Sequence, residues 1–212
     1  MLEFLLYVMP ILPPLAMSLR PSSVPPLIVY TDAMFTPRVP HPLLRIGWLV
    51  YDPISRAARH SHLELPPSYF HLFEPGRRTY IYQGEGIGAV APALSVPHMF
   101  RGRHVVQFND NSGALSALIH GYASKPDMCR IVNVYHLTQF FLHATVWLEW
   151  VPSAANIADL PSRLGYAEFY QCLAALGVDS QWVPTVLPPP AVWRGSFRAL
   201  ARWVESMLQR IA

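Results

Sequence analysis

The sequence predicts an α/β fold: a mixed five-stranded sheet flanked by helices, with one further helix appended at the C-terminus. Two observations support this prediction. The apolar run Leu27-Ile28-Val29-Tyr30-Thr31-Asp32-Ala33 follows two prolines and is rich in β-branched and aromatic residues, which is typical of a central strand covered on both faces. Three strand-like segments come first, and helical and strand-like segments then alternate, which favours a sheet with helices packed against it.

The composition bounds the possible functions only loosely. At 212 residues the chain is long enough for one domain with a sizeable core. Its 52% hydrophobic and 14% charged residues, interrupted by 22 prolines, indicate that part of the chain needs a neighbour. A net charge of +3 permits a polyanionic partner without establishing one. The two cysteines, Cys129 and Cys172, are far apart and indicate neither a zinc site nor a disulfide framework.

Residues 1–25 are predicted to connect the domain to an upstream domain of a longer polyprotein. The segment is apolar, but it lacks a basic start, carries Glu3 and is broken by Pro10, Pro13 and Pro14, which disfavours a signal peptide. It is also too short and too interrupted for a membrane-spanning helix, which needs about 20 apolar residues. We therefore expect an intracellular protein, cytoplasmic or nuclear, with no membrane span.

Three strands are predicted to open the main domain, which we expect to span residues 26–179. The first delivers Asp32 near its end, where the alternative is an acid that merely caps a turn. A second strand at 43–51 ends in the turn signal Asp52-Pro53, and a third is expected near 61–65.

A helix at 80–94 is predicted to carry Glu85. Three glycines and Pro92 weaken it, by about 1 kcal/mol for each glycine and about 3 kcal/mol for the proline. Its Gly84-Glu85-Gly86-Ile87-Gly88 core lacks the lysine of a phosphate-binding P-loop and does not match the dinucleotide-binding fingerprint.

The rest of the chain alternates strands and helices before a proline-rich linker. The elements expected are a strand at 104–110, helices at about 112–122 and 127–143, a strand at 145–151, a helix at 156–176 interrupted near Pro161, a linker at 180–191 and an amphipathic helix at 192–212. The last helix is apolar on one side and basic on the other. It is suited either to a membrane or nucleic-acid surface, or to packing on its own or a neighbouring domain.

Four acids stand at the ends or starts of these elements: Asp32, Glu85, Asp110 and Asp159. Sites in open α/β sheets form outside the carboxyl ends of strands, so Asp32 and Asp110 are expected to meet if their strands are neighbours. Converging carboxylates need cations to stay ionised, and ligation by oxygen alone favours Mg²⁺ or Mn²⁺. Two such ions about 3.5 to 4 Å apart are suited to phosphodiester hydrolysis.

The sequences around these acids resemble ribonuclease H, in the form attached to reverse transcriptases of retrotransposons. The matching stretches are IVYTDA, YQGEGIGAV, VQFNDNSGAL and WVPSAANIADLPSR, and the last two are most similar to those of DIRS-like and related elements. The resemblance covers about residues 26–177. It implies a ribonuclease H-like fold and an upstream reverse transcriptase domain as partner.

The same resemblance implies a role for each acid. Asp32 and Asp110 would ligate both metals, Glu85 would ligate one and orient the nucleophilic water, and Asp159 would complete the second site. The implied substrate is the RNA strand of an RNA/DNA hybrid, recognised through its 2′-hydroxyls. The residues predicted to contact it are Asn109, Asn111, Ser112 and Arg163, for which helix capping or a surface salt bridge is the alternative.

Several features depart from the family pattern. No histidine lies between Pro152 and Ala158, where many ribonucleases H carry a mobile one, and His143 is expected to end a helix instead. No basic protrusion is visible between Ser124 and Asp127. Together with the weakened helix around Glu85, these departures leave open a non-catalytic scaffold or nucleic-acid clamp, and also a DNA-directed nuclease or transposase of the same fold.

Overall fold

A computed structural model describes residues 6, 10, 23–38 and 41–209, and within these ranges the chain forms a six-stranded mixed sheet. The strands are β1 (Leu27–Thr36), β2 (Leu43–Asp52), β3 (Ala57–Glu64), β4 (His104–Asn109), β5 (Thr145–Trp150) and β6 (Asp179–Trp182). Their order across the sheet is β5-β4-β1-β2-β3-β6. The first three strands pair antiparallel as the predicted meander, and the others join in parallel.

Helices cover both faces of this sheet, so the predicted mixed α/β class is confirmed. They are α1 (Ile81–Ser95), α2 (Pro97–Phe100), α3 (Ser112–His120), α4 (Pro126–Leu142), α5 (Asp159–Ser162), α6 (Tyr166–Ala175), α7 (Pro190–Arg194) and α8 (Phe197–Gln209), with 3₁₀ turns at Pro67–Leu72 and Ser153–Ala155. The larger core lies between the sheet and α1, α4 and α8. A smaller core on the other face joins Leu49 and Ala58 of the sheet to Phe169 and Leu173 of α6.

Strands β1 and β3 are longer than predicted, because pairing with β2 extends them. β1 continues past Ala33 to Thr36 because it stays paired with β2, and β3 begins at Ala57 because it forms a hairpin with β2. The sixth strand occupies residues predicted to begin a linker. The sequence Asp-Ser-Gln-Trp has no strand pattern of its own, and its extended form comes from parallel pairing with β3.

The helix around Glu85 forms in spite of its glycines, because those glycines let it lie close to its neighbours. A Cβ atom on Gly84 would come within 2.6 Å of the Leu44 side chain, and one on Gly86 within 2.8 Å of the Met128 side chain. Helix α1 is buried from Gln83 to Leu94. The loss in helix propensity is therefore offset by close packing, and the weak propensity does not indicate a decayed helix.

The predicted helix at 156–176 is two helices. Helix α5 ends at Ser162, beyond the predicted break at Pro161, and Leu164 then adopts the left-handed backbone conformation before α6 begins. The chain therefore turns between Asp159 and the helix that covers the second face of the sheet.

The C-terminal helix packs on its own domain. Helix α8 lies against α4, and its residues Phe197, Leu200, Val204 and Leu208 are buried in the larger core. Residues 190–194 form the separate helix α7, and residues 210–212 of the predicted helix lie outside the described residues. Burial of the apolar side against the domain leaves the basic Arg198 and Arg202 exposed.

Among the residues that the structure describes, no helix is long and apolar enough to cross a bilayer. The apolar segment at 1–22 lies outside them, apart from Leu6 and Pro10. The division into a connecting segment, a main domain, a linker and a tail helix stays a prediction.

Candidate metal centre

Two neighbouring parallel strands bring Asp32 and Asp110 together. Tyr30 of β1 pairs with Phe108 of β4, and continuing this register by two residues sets Asp32 beside Asp110. Strand β4 ends at Asn109, whereas β1 continues to Thr36. Asp32 therefore lies inside its strand, beyond the point where the neighbouring strand has ended, and not at the strand end that the sequence predicted.

Helix α1 delivers Glu85 to the same place. The backbone N–H of Ala33 donates to Glu85 Oε1 at 3.2 Å, and Asn109 Nδ2 donates to Glu85 Oε2 at 2.9 Å. One carboxylate oxygen from each of Asp32, Glu85 and Asp110 lies within 4.8 Å of the other two. Three elements far apart in sequence thus contribute one ligand atom each to a single point.

The surroundings of these acids disfavour their charged forms. Both Asp32 and Glu85 are only 3% exposed. Burial raises the pKa of Asp32 to about 7, helped by the charges of Asp110 and Asp159 and opposed by the hydrogen bond from Ser162. Burial also raises the pKa of Glu85 well above its ordinary value, with added repulsion from Asp32 and Asp110. A divalent cation would remove this repulsion, and the oxygen-only donor set fits Mg²⁺ or Mn²⁺.

Asp159 borders the same site without joining the group of three. It begins α5, and Arg163 Nε donates to its Oδ1 at 2.6 Å. Both residues line a cleft of about 440 Å³ together with Asp32, Glu85 and Asp110. The four acids predicted from the sequence therefore share one cleft, and three of them lie close enough to bind one ion.

The residues predicted to contact substrate fall into different positions. Asn109 is fully buried, and its amide is engaged with Glu85, with Thr31 Oγ1 and with the backbone N–H of Asn111. Because these bonds occupy its side chain, Asn109 positions Glu85 in this structure, and its contact with substrate stays a prediction.

The other three predicted contact residues lie at the rim. Asn111 lines the cleft and caps α3 by accepting from the backbone N–H of Ala114 at 3.0 Å. Ser112 is exposed at the first turn of α3. Arg163 lines the cleft with its side chain 62% exposed, paired to Asp159. The capping and salt-bridge alternatives are thus realised for Asn111 and Arg163, while both side chains still border the cleft.

Sequence reasoning assigned no role to Ser162, which the structure places beside the acids. Ser162 Oγ donates to Asp32 Oδ2 at 2.5 Å, and Arg45 Nη1 donates to the Ser162 carbonyl at 3.3 Å. This approach requires Gly47, which pairs with Asp32 across the sheet: a Cβ there would come within 2.4 Å of the Ser162 backbone nitrogen. In the sequence, Ser162 follows Asp159 by three residues, so the two lie one helical turn apart, and this spacing alone could have indicated that Ser162 lies near the acids.

Asn156 was also missed. Its Nδ2 donates to the Thr31 carbonyl at 3.0 Å, and the side chain is buried. This bond ties the segment before Asp159 to β1 next to Asp32. Asn156 belongs to the stretch NIADLPSR, but its residue type alone does not show whether its side chain binds a distant strand or only stabilises a local turn.

His143 lies at the end of a helix, as predicted. It ends α4 in the left-handed backbone conformation, shortly before Thr145 begins β5. Thr145 pairs with the first residue of β4, whereas Asp110 follows the last residue of β4, so His143 and the acids lie at opposite ends of the sheet. It therefore has no part in the cleft.

No family model and no curated protein matches the chain. Among solved structures it is similar to ribonuclease H1 of the halophilic archaeon Halobacterium salinarum, at 15% identity and a TM-score of 0.48, over 67% of this chain and 98% of that one. It is also similar to the N-terminal ribonuclease H domain of a Mycobacterium tuberculosis protein, solved as a maltose-binding-protein fusion, at 15% identity and a TM-score of 0.43, over 69% and 96% of the two chains. A third similar structure is that of a type 1 ribonuclease H with the type 2 active-site motif, at 14% identity and a TM-score of 0.49, over 88% of this chain and 87% of that one.

Proposed function

We propose that this chain is a metal-dependent nuclease of the ribonuclease H type, which hydrolyses the RNA strand of RNA/DNA hybrids. The observation that carries the proposal is the meeting of carboxylate oxygens from Asp32, Glu85 and Asp110 within 4.8 Å in an open cleft. In the proposal these three residues hold the first metal ion, and Asp159 contributes to the second. When bound, two Mg²⁺ or Mn²⁺ ions would activate a water and stabilise the leaving oxygen of the phosphodiester.

The protein prepares this chemistry by fixing the ligands in advance. Asn109 and the backbone N–H of Ala33 each hold one oxygen of Glu85, and Ser162 holds one oxygen of Asp32. Such outer contacts orient the carboxylates before the cation binds, so little reorganisation remains.

Arg163 is assigned to the substrate phosphate. Its guanidinium is exposed at the rim of the cleft, where it is close enough to Asp32 and Asp110 for their charges to raise its pKa further, beyond the effect of its hydrogen bond to Asp159. A planar guanidinium matches the geometry of a phosphate group. When Arg163 binds a substrate phosphate in place of Asp159, the Asp159 carboxylate is free to act as a metal ligand.

The choice of an RNA/DNA hybrid rests on the resemblance of the motifs to ribonuclease H. The exposed Ser112 hydroxyl and the Asn111 amide, at the start of α3, are the groups assigned to 2′-hydroxyl recognition. The same motifs support a place beside an upstream reverse transcriptase domain in a retroelement polyprotein, acting inside the cell.

Cleavage assays with Mg²⁺ on RNA/DNA, RNA/RNA and DNA/DNA duplexes test the proposal. We expect cleavage of the hybrid RNA strand, abolished by chelator and lost in Asp110→Asn, while that variant keeps its circular dichroism spectrum. Glu168→Gln, which neutralises an exposed acid on α6, serves as the matched control and should retain activity.

Three outcomes would contradict the proposal. Equal activity of Asp110→Asn would remove the metal centre from the reaction. Cleavage of DNA/DNA with equal efficiency would indicate the DNA-directed alternative. Hybrid binding without cleavage, and without any effect of chelator, would indicate the non-catalytic clamp.

A further inference from the structure

A cavity of about 290 Å³ lies at the end of the sheet opposite the acids. It is formed by the end of β2, the turn into β3, the short helix α2 and the residues that lead into β4. Three arginines line it, Arg59, Arg101 and Arg103, together with Ser55 and His98, and its one acidic lining residue is Asp52. The lining is thus rich in cationic donors.

Asp52 is already hydrogen-bonded to its own neighbours. Its Oδ1 accepts from the backbone N–H of Ile54 at 3.2 Å and from Arg103 Nη2 at 3.1 Å, and its Oδ2 accepts from Ser55 Oγ at 3.0 Å. Burial alone would raise the pKa of Asp52, but these hydrogen bonds outweigh it and lower the pKa. Asp52 therefore neutralises Arg103, and among the described residues its ion pair is with Arg103 and not with the other two arginines.

In the part of the chain that the structure describes, the hydrogen-bond partners of Arg59 and Arg101 are backbone carbonyl oxygens. Arg59 Nη1 donates to the Ala58 carbonyl at 2.9 Å, and Arg101 Nη2 donates to the Leu208 carbonyl at 3.2 Å. Within residues 23–38 and 41–209, neither guanidinium forms an ion pair with a carboxylate. Each guanidinium has five N–H donors, so most of the donors on these two side chains remain available beside the cavity.

We infer that this cavity binds a phosphate group. Two uncompensated guanidinium groups on one cavity can each donate paired N–H bonds to phosphate oxygens, which is the geometry that arginine offers and lysine does not. The phosphate can come from free inorganic phosphate or from the backbone of a nucleic-acid strand, since both present the same oxygens.

This site is separate from the candidate metal centre. Arg103 directly precedes β4, whereas Asp110 directly follows it, and the six residues of the strand span about 20 Å. A ligand held by Arg59 and Arg101 therefore does not depend on the acids, and the inference stands or fails independently of the proposed nuclease activity.

Titration calorimetry of the full chain, in the presence of chelator, tests the inference. Inorganic phosphate is titrated in one series and a single-stranded oligonucleotide in another, at constant ionic strength. We expect saturable binding that weakens at least tenfold in Arg59→Ala and less in Arg59→Lys, which keeps the charge but loses the paired donors. Arg202→Ala removes an equal charge from the exposed side of α8 and is expected to leave the affinity unchanged.

The outcomes separate the two phosphate sources. Binding of phosphate with no tighter binding of the oligonucleotide indicates a free phosphate ligand, and tight oligonucleotide binding that phosphate displaces indicates a nucleic-acid strand. Equal losses in Arg59→Ala and Arg202→Ala would overturn the inference, because they would indicate only a general charge effect. Absence of saturable binding to either probe would also overturn it. Because Arg101 additionally holds the end of α8, the Arg59 variants carry the test.

Discussion

Replacing Asp32 by asparagine is expected to stabilise the metal-free protein at pH 8 while abolishing its proposed activity. Asp32 is buried against Glu85 and Asp110, and no metal ion offsets its charge when a chelator is present. Asparagine has nearly the same shape and keeps an oxygen that can accept the hydrogen bond from Ser162. The substitution therefore removes the charge with little change in packing.

The size of the effect follows from the pKa of Asp32, which rises from an ordinary 3.8 to about 7. Below about pH 3 the carboxyl group is largely protonated in both the folded and the unfolded chain. Between the two pKa values the unfolded chain ionises this group while the folded protein keeps the proton, so the free energy of unfolding falls as the pH rises. Above pH 7 the full difference applies, which is roughly 4 kcal/mol.

We expect Asp32→Asn to recover about 2 kcal/mol or more of this at pH 8 and roughly 0.5 kcal/mol or less at pH 4. For a chain of this size, about 2 kcal/mol corresponds to a rise in Tm of roughly 4 to 8 °C. Thermal unfolding followed by circular dichroism, with chelator, at both pH values measures it. Asp52→Asn is the matched control with the opposite sign, because hydrogen bonds from Arg103, Ile54 and Ser55 hold the pKa of Asp52 low.

A loss of stability in Asp32→Asn that is as large at pH 8 as at pH 4 would refute this reasoning. It would mean that the carboxylate is compensated in the folded protein without a cation. The electrostatic argument for a metal centre would then fail, although the geometry of the three acids would stand.

Two further substitutions test how α5 is held beside the acids. Gly47→Ala is expected to destabilise the protein by about 3 kcal/mol or more, because its Cβ would lie 2.4 Å from the Ser162 backbone nitrogen. Chemical denaturation measures this loss of stability. The control is Gly165→Ala, which should destabilise the protein far less because its nearest contacts would be 3.4 Å or longer. Ser162→Ala removes the hydrogen bond that lowers the pKa of Asp32. The acid limb of the pH–rate profile for hybrid cleavage should therefore move to higher pH. Ser153→Ala, which changes another serine of the cleft, should leave the profile unchanged.

The acids of the candidate site could be predicted because each stands in or next to an element that the local sequence indicates. Asp32 and Asp110 follow apolar, β-branched runs, and Asp159 begins a helix. Their sequence neighbours were enough to indicate strand ends and a helix start, and parallel strand ends meet at one edge of a sheet. The sequence alone therefore indicates these four acids, and the structure brings all four to one cleft.

The supporting residues could not be predicted in the same way. Gly47 lies in the middle of an apolar strand, and its lack of a side chain matters only because α5 crosses the strand there. Asn109 was expected at the substrate, but the depth of the site buries it against Glu85. Both roles depend on residues that are distant in sequence: Ser162 for Gly47, and Glu85 for Asn109.

Local sequence determined the class of fold, most of the strands and helices, and the identity of the acids, because periodicity and capping act over a few neighbouring residues. Tertiary structure decided the rest. It made a strand of Asp179–Trp182 by pairing those residues with β3, and it kept a glycine-rich helix stable by burying it. It also raised the pKa of Asp32, since the desolvation and the neighbouring charges arise only when distant elements pack together.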